Sequence, residues 1–172
     1  VNIVSLNPEG SLEKESNKRK KNSVTETERI ELSNGATLLL RPDARLPLVT
    51  IHAAMRGGLL AEPEGKTGIT RLFSKLLTRD TKSRDKHEVS DRIESVGGEF
   101  TSFSGYNSLG LSAEVMAPDW ELGLETLTAA LTEPKFAEKT VLNEREFQIA
   151  AIKSELDRPM TIAGQKMREL LF

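Results

Sequence analysis

The two histidines, His52 and His87, are the residues whose type most directly suggests catalysis or metal binding. His52 lies in a run of β-branched and small residues, so we predict a hydrogen-bonded core or edge histidine. His87 and Asp91 stand at positions i and i+4 of a predicted helix, a spacing that could hold a metal ion weakly. A solvated helix face is the interpretation we favour for that pair. No G-x-S-x-G sequence indicates a serine nucleophile.

The segment Gly65-Lys66-Thr67 is the nearest match to a nucleotide-binding loop, because it follows a predicted strand and opens a predicted helix. A phosphate loop also requires glycine where Leu60 stands. The carboxylates of Glu62 and Glu64 would repel phosphate. We therefore predict a glycine-rich turn between strand and helix.

Composition removes several functional classes. The chain has 172 residues, a net charge of −2 and no cysteine. The charge gives no indication of a nucleic acid or an anionic membrane as partner. Disulfides, thiolate nucleophiles and cysteine-ligated zinc are excluded. No apolar run approaches the roughly 18 residues of a membrane span. Acidic side chains on the long helix 138–156 alternate with basic ones, which predicts a solvated face rather than a catalytic carboxylate pair.

The elements that would position these residues follow from periodicity and turn signals. We predict strands at 29–33 and 36–41 around Asn34-Gly35, at 48–55, and at 99–104 and 108–115 around Gly105-Tyr106-Asn107. Helices are predicted at 67–78, 86–96, 119–132 and 138–156, with a helical tail to 172. The predicted architecture is α+β, a mostly antiparallel sheet covered on one face by helices.

Two of these helices have apolar stripes that predict their buried faces. In helix 67–78 the stripe contains Ile69, Leu72, Phe73, Leu76 and Leu77, which places Arg71, Ser74 and Lys75 on the opposite face. In helix 119–132 the predicted buried residues are Trp120, Leu124, Leu127 and Leu131.

The N-terminal part reads as a short strand at 1–6, a turn at 7–10 and a charged segment at 11–28. The basic run at 18–21 has no aromatic or apolar interleaving, so a solvated linker is favoured over a nucleic-acid or lipid patch.

From Leu48 onward the order of motifs resembles the pitrilysin/insulinase-type (inverzincin) metallopeptidases, including the mitochondrial processing peptidase. The matching segments are a glycine turn followed by Glu62, a glycine-led helix from Gly68 to Leu77, a Gly97-Gly98-led strand and a long helix opened by Glu144-Arg145. The resemblance covers residues 28–172 and implies an incomplete domain, apparently truncated at its C-terminus. It also implies that residues 1–27 are the end strand of a preceding half plus a linker.

The resemblance further implies which residues would stand at the catalytic positions. The family's H-x-x-E-H helix binds zinc with its histidines and uses its glutamate as general base. When the motif is aligned with this chain, those positions are Arg71, Ser74 and Lys75, and the position of the third zinc ligand corresponds to Ala151. The resemblance therefore implies no catalytic and no metal-binding residue in this segment, and zinc in a partner half. Arg71, Lys75, Thr101 and Ser102 are the positions expected to face a substrate.

In that family two homologous halves close around a peptide. The resemblance implies a zinc-free, inactive half that contributes chamber closure and peptide binding, in a parent that is a zinc-dependent metalloendopeptidase. The expected partners are a zinc-bearing half and a peptide substrate, and an unpaired sheet edge could also support a homodimer. Two alternatives stay open. One is a scaffold that keeps the fold without serving proteolysis, and the other is a hydrolase that uses residues not identified above.

Overall fold

The structure is a computed structural model that describes residues 3–5 and 26–171. It divides into two compact units, Val1–Lys135 and Phe136–Phe172. The predicted turn at 7–10, most of the predicted linker at 11–28 and the whole basic run at 18–21 lie outside the described residues. Among the described residues, no helix is both long and apolar enough to cross a membrane.

The first unit contains a six-stranded sheet. Its strands are β1 (Ile3–Ser5), β2 (Glu28–Glu31), β3 (Thr37–Leu40), β4 (Leu48–Arg56), β5 (Glu99–Ser104) and β6 (Ser108–Met116). They lie in the order β2-β3-β1-β4-β6-β5, and every neighbouring pair is antiparallel except β1 with β3. The short segment β1 thus lies inside this sheet, while its assignment to a preceding half stays a prediction.

Local sequence explains the two hairpins. At the first, Gly35 has φ +81° and the Asn34 side chain accepts the amide of Ala36, which confirms the predicted Asn-Gly turn. At the second, the Gly105 N–H donates to the Ser108 carbonyl at 2.8 Å and closes the turn that joins β5 to β6. Both hairpins form where the sequence predicts them.

Three helices of the first unit cover one face of the sheet: α1 (Ile69–Leu76), α2 (Lys86–Glu94) and α3 (Trp120–Thr132). Strands β4 and β6 alternate, with one set of side chains buried under the helices and the other set less buried and largely small or polar. The core combines Val49, Ile51, Ala53, Leu77, Leu111, Ala113, Leu127 and Ala130. The predicted α+β architecture is confirmed.

The buried faces of α1 and α3 differ from the predicted stripes. In α1 the side chain of Ser74 is buried, while Ile69 and Phe73 are 43% and 39% exposed. In α3 the buried residues are Gly123, Thr126, Leu127 and Ala130, and Trp120 and Leu124 are exposed. Small residues face the sheet because the helices approach it closely. A Cβ on Gly123 would lie 3.1 Å from a methyl group of Val115.

The second unit consists of α4 (Glu138–Leu156) and α5 (Pro159–Leu171). Helix α4 has the predicted bounds, and α5 begins at Pro159, since proline is tolerated in the first turn of a helix. On α4, Arg145 pairs with Glu146 and both side chains are more than half exposed. This confirms the predicted solvated charged face.

Candidate functional site

The loop after β4 is joined to the tip of the β5–β6 hairpin by main-chain hydrogen bonds. The Gly57 N–H donates to the Asn107 carbonyl at 3.1 Å, and the Leu59 and Leu60 N–H groups donate to Gly105 and Tyr106 at 3.0 and 2.8 Å. We call these three bonds the hairpin clamp. Gly58 lies inside it with φ +87°, where a Cβ would meet the Gly105 carbonyl oxygen at 2.3 Å. The clamp therefore depends on a glycine at this position.

The carboxylate of Glu62 occupies the N-terminus of α1. One oxygen accepts the Thr70 hydroxyl at 2.6 Å and the Thr70 N–H at 3.0 Å, and the other accepts the Gly68 N–H at 2.8 Å. The Thr70 hydroxyl, followed by these two amides, holds the pKa of Glu62 below its usual range. The amides that would hold a phosphate are therefore already bound to an anion. This confirms that Gly65-Lys66-Thr67 is part of a turn.

Between the Glu62 contact and the hairpin clamp lies a cavity of about 260 Å³ that is open to solvent at the end of β5. Leu59 and Tyr106 contribute apolar surface, Ser104 and Thr70 contribute hydroxyls, and Arg71 contributes the cation. The Ser104 hydroxyl donates to that of Thr70 at 3.3 Å, which ties β5 to α1 beside the cavity. We refer to this space as the Arg71 cavity.

The α1 residues at the expected zinc positions do not fit a zinc ion. Arg71 and Lys75 are exposed cations, which have no lone pair to donate at neutral pH and would repel the metal. Ser74 is 2% exposed, contrary to the expectation that it shares their face, and its hydroxyl donates to the Arg71 carbonyl at 2.9 Å. Ala151 is exposed on α4 of the second unit and has a methyl side chain.

Strand β5 is the last strand of the described sheet. Because Gly105 bonds to Ser108 and bonding alternates along an antiparallel pair, Ser102 and Ser104 direct their main-chain N–H and C=O groups away from β6. The β5 edge formed by these groups is a place where an extended peptide could pair.

The two predicted substrate-facing residues of β5 lie on opposite faces. Ser102 shares the helix-covered face with Ser104, and its hydroxyl is buried with no hydrogen-bond partner. Thr101 lies on the other face, in a polar depression of about 530 Å³ that also includes His52 and Ser112. The structure thus groups Ser102 with Arg71 and Lys75 and separates Thr101 from them.

The histidines lie away from the Arg71 cavity. His52 is half-buried on the central strand β4, on the face of the sheet without helices. The prediction of a core or edge histidine was therefore wrong. His87 and Asp91 are exposed on α2. Among residues 3–5 and 26–171, no three His, Cys, Asp or Glu side chains could hold a metal ion together.

Sequence reasoning missed Tyr106, Thr70 and Ser104 as parts of a site. A glutamate placed shortly before a glycine-led helix could have indicated the helix cap, because acidic residues favour helix N-termini. No local pattern indicates that the hairpin tip reaches that helix, since the hairpin clamp joins segments almost fifty residues apart.

Comparisons with known proteins identify relatives of this chain. A protein of Rickettsia bellii described as "Uncharacterized zinc protease" is 22% identical over 142 residues, covering 83% of this chain and 34% of that protein. A protein with the same description from Rickettsia felis is 21% identical over 136 residues, covering 79% and 33%. The chain therefore spans about a third of the length of these relatives.

Among solved structures, "The crystal structure of a protease from Helicobacter pylori" superposes with a TM-score of 0.74 at 18% identity. The match covers 80% of this chain and 33% of that protein, and it shows a shared fold. The sequence model described as "Insulinase (Peptidase family M16)" matches residues 39–166, which is 128 of the 172 positions. The chain belongs to the insulinase family of peptidases, family M16.

Proposed function

We propose that this chain is a zinc-free, non-catalytic half of a two-half zinc metalloendopeptidase, and that it binds peptide and closes the chamber. The observation that carries the proposal is the face of α1. Arg71 and Lys75 stand at the expected ligand positions, and the glutamate position holds a buried Ser74. Such a face stabilises anions and does not activate a metal-bound water.

The β5 edge supports the peptide-binding part of the proposal. Its outward main-chain groups can pair with any extended peptide, because main-chain hydrogen bonds are independent of side chains. The exposed cations of α1 and the Arg71 cavity lie beside the end of this strand. Zinc and the general base would come from the partner half.

The direct test measures hydrolysis of an internally quenched peptide by the zinc-bearing half of the parent polypeptide, with and without this chain. We expect hydrolysis to rise on addition and to disappear when zinc is chelated. No rise, with both halves folded, would contradict the proposal and favour a scaffold that does not serve proteolysis. Chelator-resistant turnover by this chain alone would instead indicate a hydrolase with unidentified residues.

A pair of variants tests whether the β5 edge contributes. Ser102→Pro removes one outward N–H and leaves the hydrogen bonds to β6 in place, as edge strands allow. We expect it to lower the stimulation. Ser102→Ala is the matched control, because it removes a buried hydroxyl that has no partner and keeps the N–H. Equal stimulation by the two variants would show that peptide does not pair at this edge.

A further inference from the structure

The Arg71 cavity has the size of a peptide side chain. Its volume of about 260 Å³ is roughly nine times the volume of one water molecule in the liquid. It lies just below the range of about 300–1,000 Å³ that small-molecule pockets usually have. Leu59 and Tyr106 form its apolar sides, and Tyr106 is 74% exposed. A few carbon atoms that end in a polar group would fit such a space.

The charges around the cavity indicate an anionic group. The carboxylate of Glu62 also lines the cavity and keeps its negative charge, but both of its oxygens accept hydrogen bonds from Gly68 and Thr70, and the two cations of α1 outnumber it. Within the described residues, the Arg71 side chain makes no hydrogen bond or ion pair. A guanidinium group presents five donors in a planar fork that matches a carboxylate. Lys75 adds a second exposed cation one turn further along α1.

The direction of β5 connects the cavity to the proposed peptide. Ser104 directs its main chain outward at the free edge, and Ser104, Gly105 and Tyr106 also line the cavity. A peptide paired along β5 would therefore bring one of its residues to the cavity mouth. Arg71 lines the same space from α1.

We infer that the Arg71 cavity binds a carboxylate of a peptide that lies along the β5 edge, in the place where the family's active halves bind zinc. The carboxylate is either an acidic side chain or a free C-terminus, since the two present the same group. This inference rests on the proposed peptide-binding function and adds the class of peptide.

The test measures the binding of three fluorescent peptides to the full chain by anisotropy. They share one neutral, β-forming sequence. The first carries a single glutamate and an amidated C-terminus, the second has a free C-terminus and no acidic residue, and the third is neutral and amidated. We expect at least one of the first two to bind about fivefold to tenfold more tightly than the third. Which of them does so identifies the source of the carboxylate, and the preference should weaken as salt is added.

Variants assign the preference to Arg71. Arg71→Gln should remove the preference, because it removes the charge and the planar fork, and the exposed side chain can be replaced without loss of packing. Arg71→Lys should retain part of it, since the charge remains but the planar fork is lost. Arg29→Gln is the matched control, because it removes the same charge from β2, at the opposite edge of the same sheet, and should leave the preference unchanged. Thermal unfolding confirms that each variant is folded.

The outcomes separate this inference from the proposed function. Equal binding of the three peptides, together with stimulation of the zinc-bearing half, would overturn the carboxylate site and leave the proposed function intact. A preference that survives Arg71→Gln would also overturn it. If no peptide binds and no stimulation occurs, both the site and the proposed function are wrong.

Discussion

Replacement of Gly58 by alanine tests whether the loop after β4 is held by the hairpin tip. Gly58 has φ +87° and ψ −167°, a region that is essentially restricted to glycine and costs other residues about 1–3 kcal/mol. The new Cβ would also lie 2.3 Å from the Gly105 oxygen and 2.9 Å from the Tyr106 carbonyl group. These atoms are main chain, so relief requires loss of the Leu59 and Leu60 hydrogen bonds, at about 1 kcal/mol each.

Together these terms predict that Gly58→Ala lowers the free energy of unfolding by about 3–5 kcal/mol. Gly65→Ala is the matched control, because Gly65 has φ +74° but no atom within 4 Å of the added Cβ. It should cost only about 1–2 kcal/mol, the penalty for a left-handed conformation. The difference between the two variants isolates the contact with the hairpin tip.

Urea denaturation of both variants measures this difference, and amide hydrogen exchange locates it. The Leu60 N–H should exchange faster in Gly58→Ala than in Gly65→Ala, because its bond to Tyr106 is lost. If the substituted loop opens locally while the rest of the unit stays folded, the loss of global stability will be smaller and the exchange of the Leu60 N–H will be faster. Equal stability and equal exchange in the two variants would refute the hairpin clamp.

Three further predictions concern the core, an ion-pair network and α1. Leu111→Ala, at a fully buried position, should lower the free energy of unfolding by about 2–5 kcal/mol in urea, whereas Leu60→Ala, at a position 78% exposed, should change it by less than about 0.5 kcal/mol. Glu125→Gln should cost up to about 1 kcal/mol at neutral pH, because Glu125 accepts bonds from Arg84 and Arg92 at 2.7 and 2.9 Å. Hydrogen bonding by Arg84 lowers the pKa of folded Glu125, so the stabilisation is present above the usual glutamate pKa and is lost as pH falls through the folded value. Denaturation at several pH values should show the two proteins converging in acid, and a constant gap would contradict the ion-pair account. Ser74→Ala should change the free energy of unfolding by less than about 0.5 kcal/mol, because the lost hydrogen bond goes to a carbonyl of the same helix. A large loss would mean that the hydroxyl has another essential role.

The strands and hairpins could be predicted from sequence because their signals are local. The alternation in β4 and β6, and the turn at Asn34-Gly35, depend on neighbouring residues alone. The predicted bounds of β4 and β6 agree with the structure to within one residue, and β2 ends two residues earlier than predicted. The α+β class follows from this pattern, since a sheet with one apolar face needs a helical layer.

The helix faces were predicted less well for a physical reason. Hydrophobic periodicity assigns the largest apolar residues to the core, but close contact with a sheet favours small ones. In α3 the buried face includes Gly123 and Ala130, whereas Trp120 is exposed. In α1 the same preference buries Ser74 and exposes Phe73.

The candidate site was only partly predictable. The apolar stripe of α1 predicted that Arg71 and Lys75 lie away from the core, and both are exposed. Their role in facing a substrate stays a prediction. The alternation of β5 could have separated Thr101 from Ser102 before the structure was known, because adjacent strand residues point to opposite faces. The contribution of Tyr106 depends on contacts between distant segments and has no local signal.

The burial of Ser74 bears on how easily this sequence could be converted into a metal-binding one. A glutamate at that position would carry a carboxylate into a closely packed environment at 2% exposure, where an unpaired charge is strongly unfavourable. Histidines at positions 71 and 75 could be accommodated at the surface, but the central substitution would require α1 to move away from the sheet. The central step towards a zinc helix would therefore reduce stability before any metal could compensate for it. In evolutionary terms, the packing of α1 disfavours the recovery of a metal site by successive point mutations.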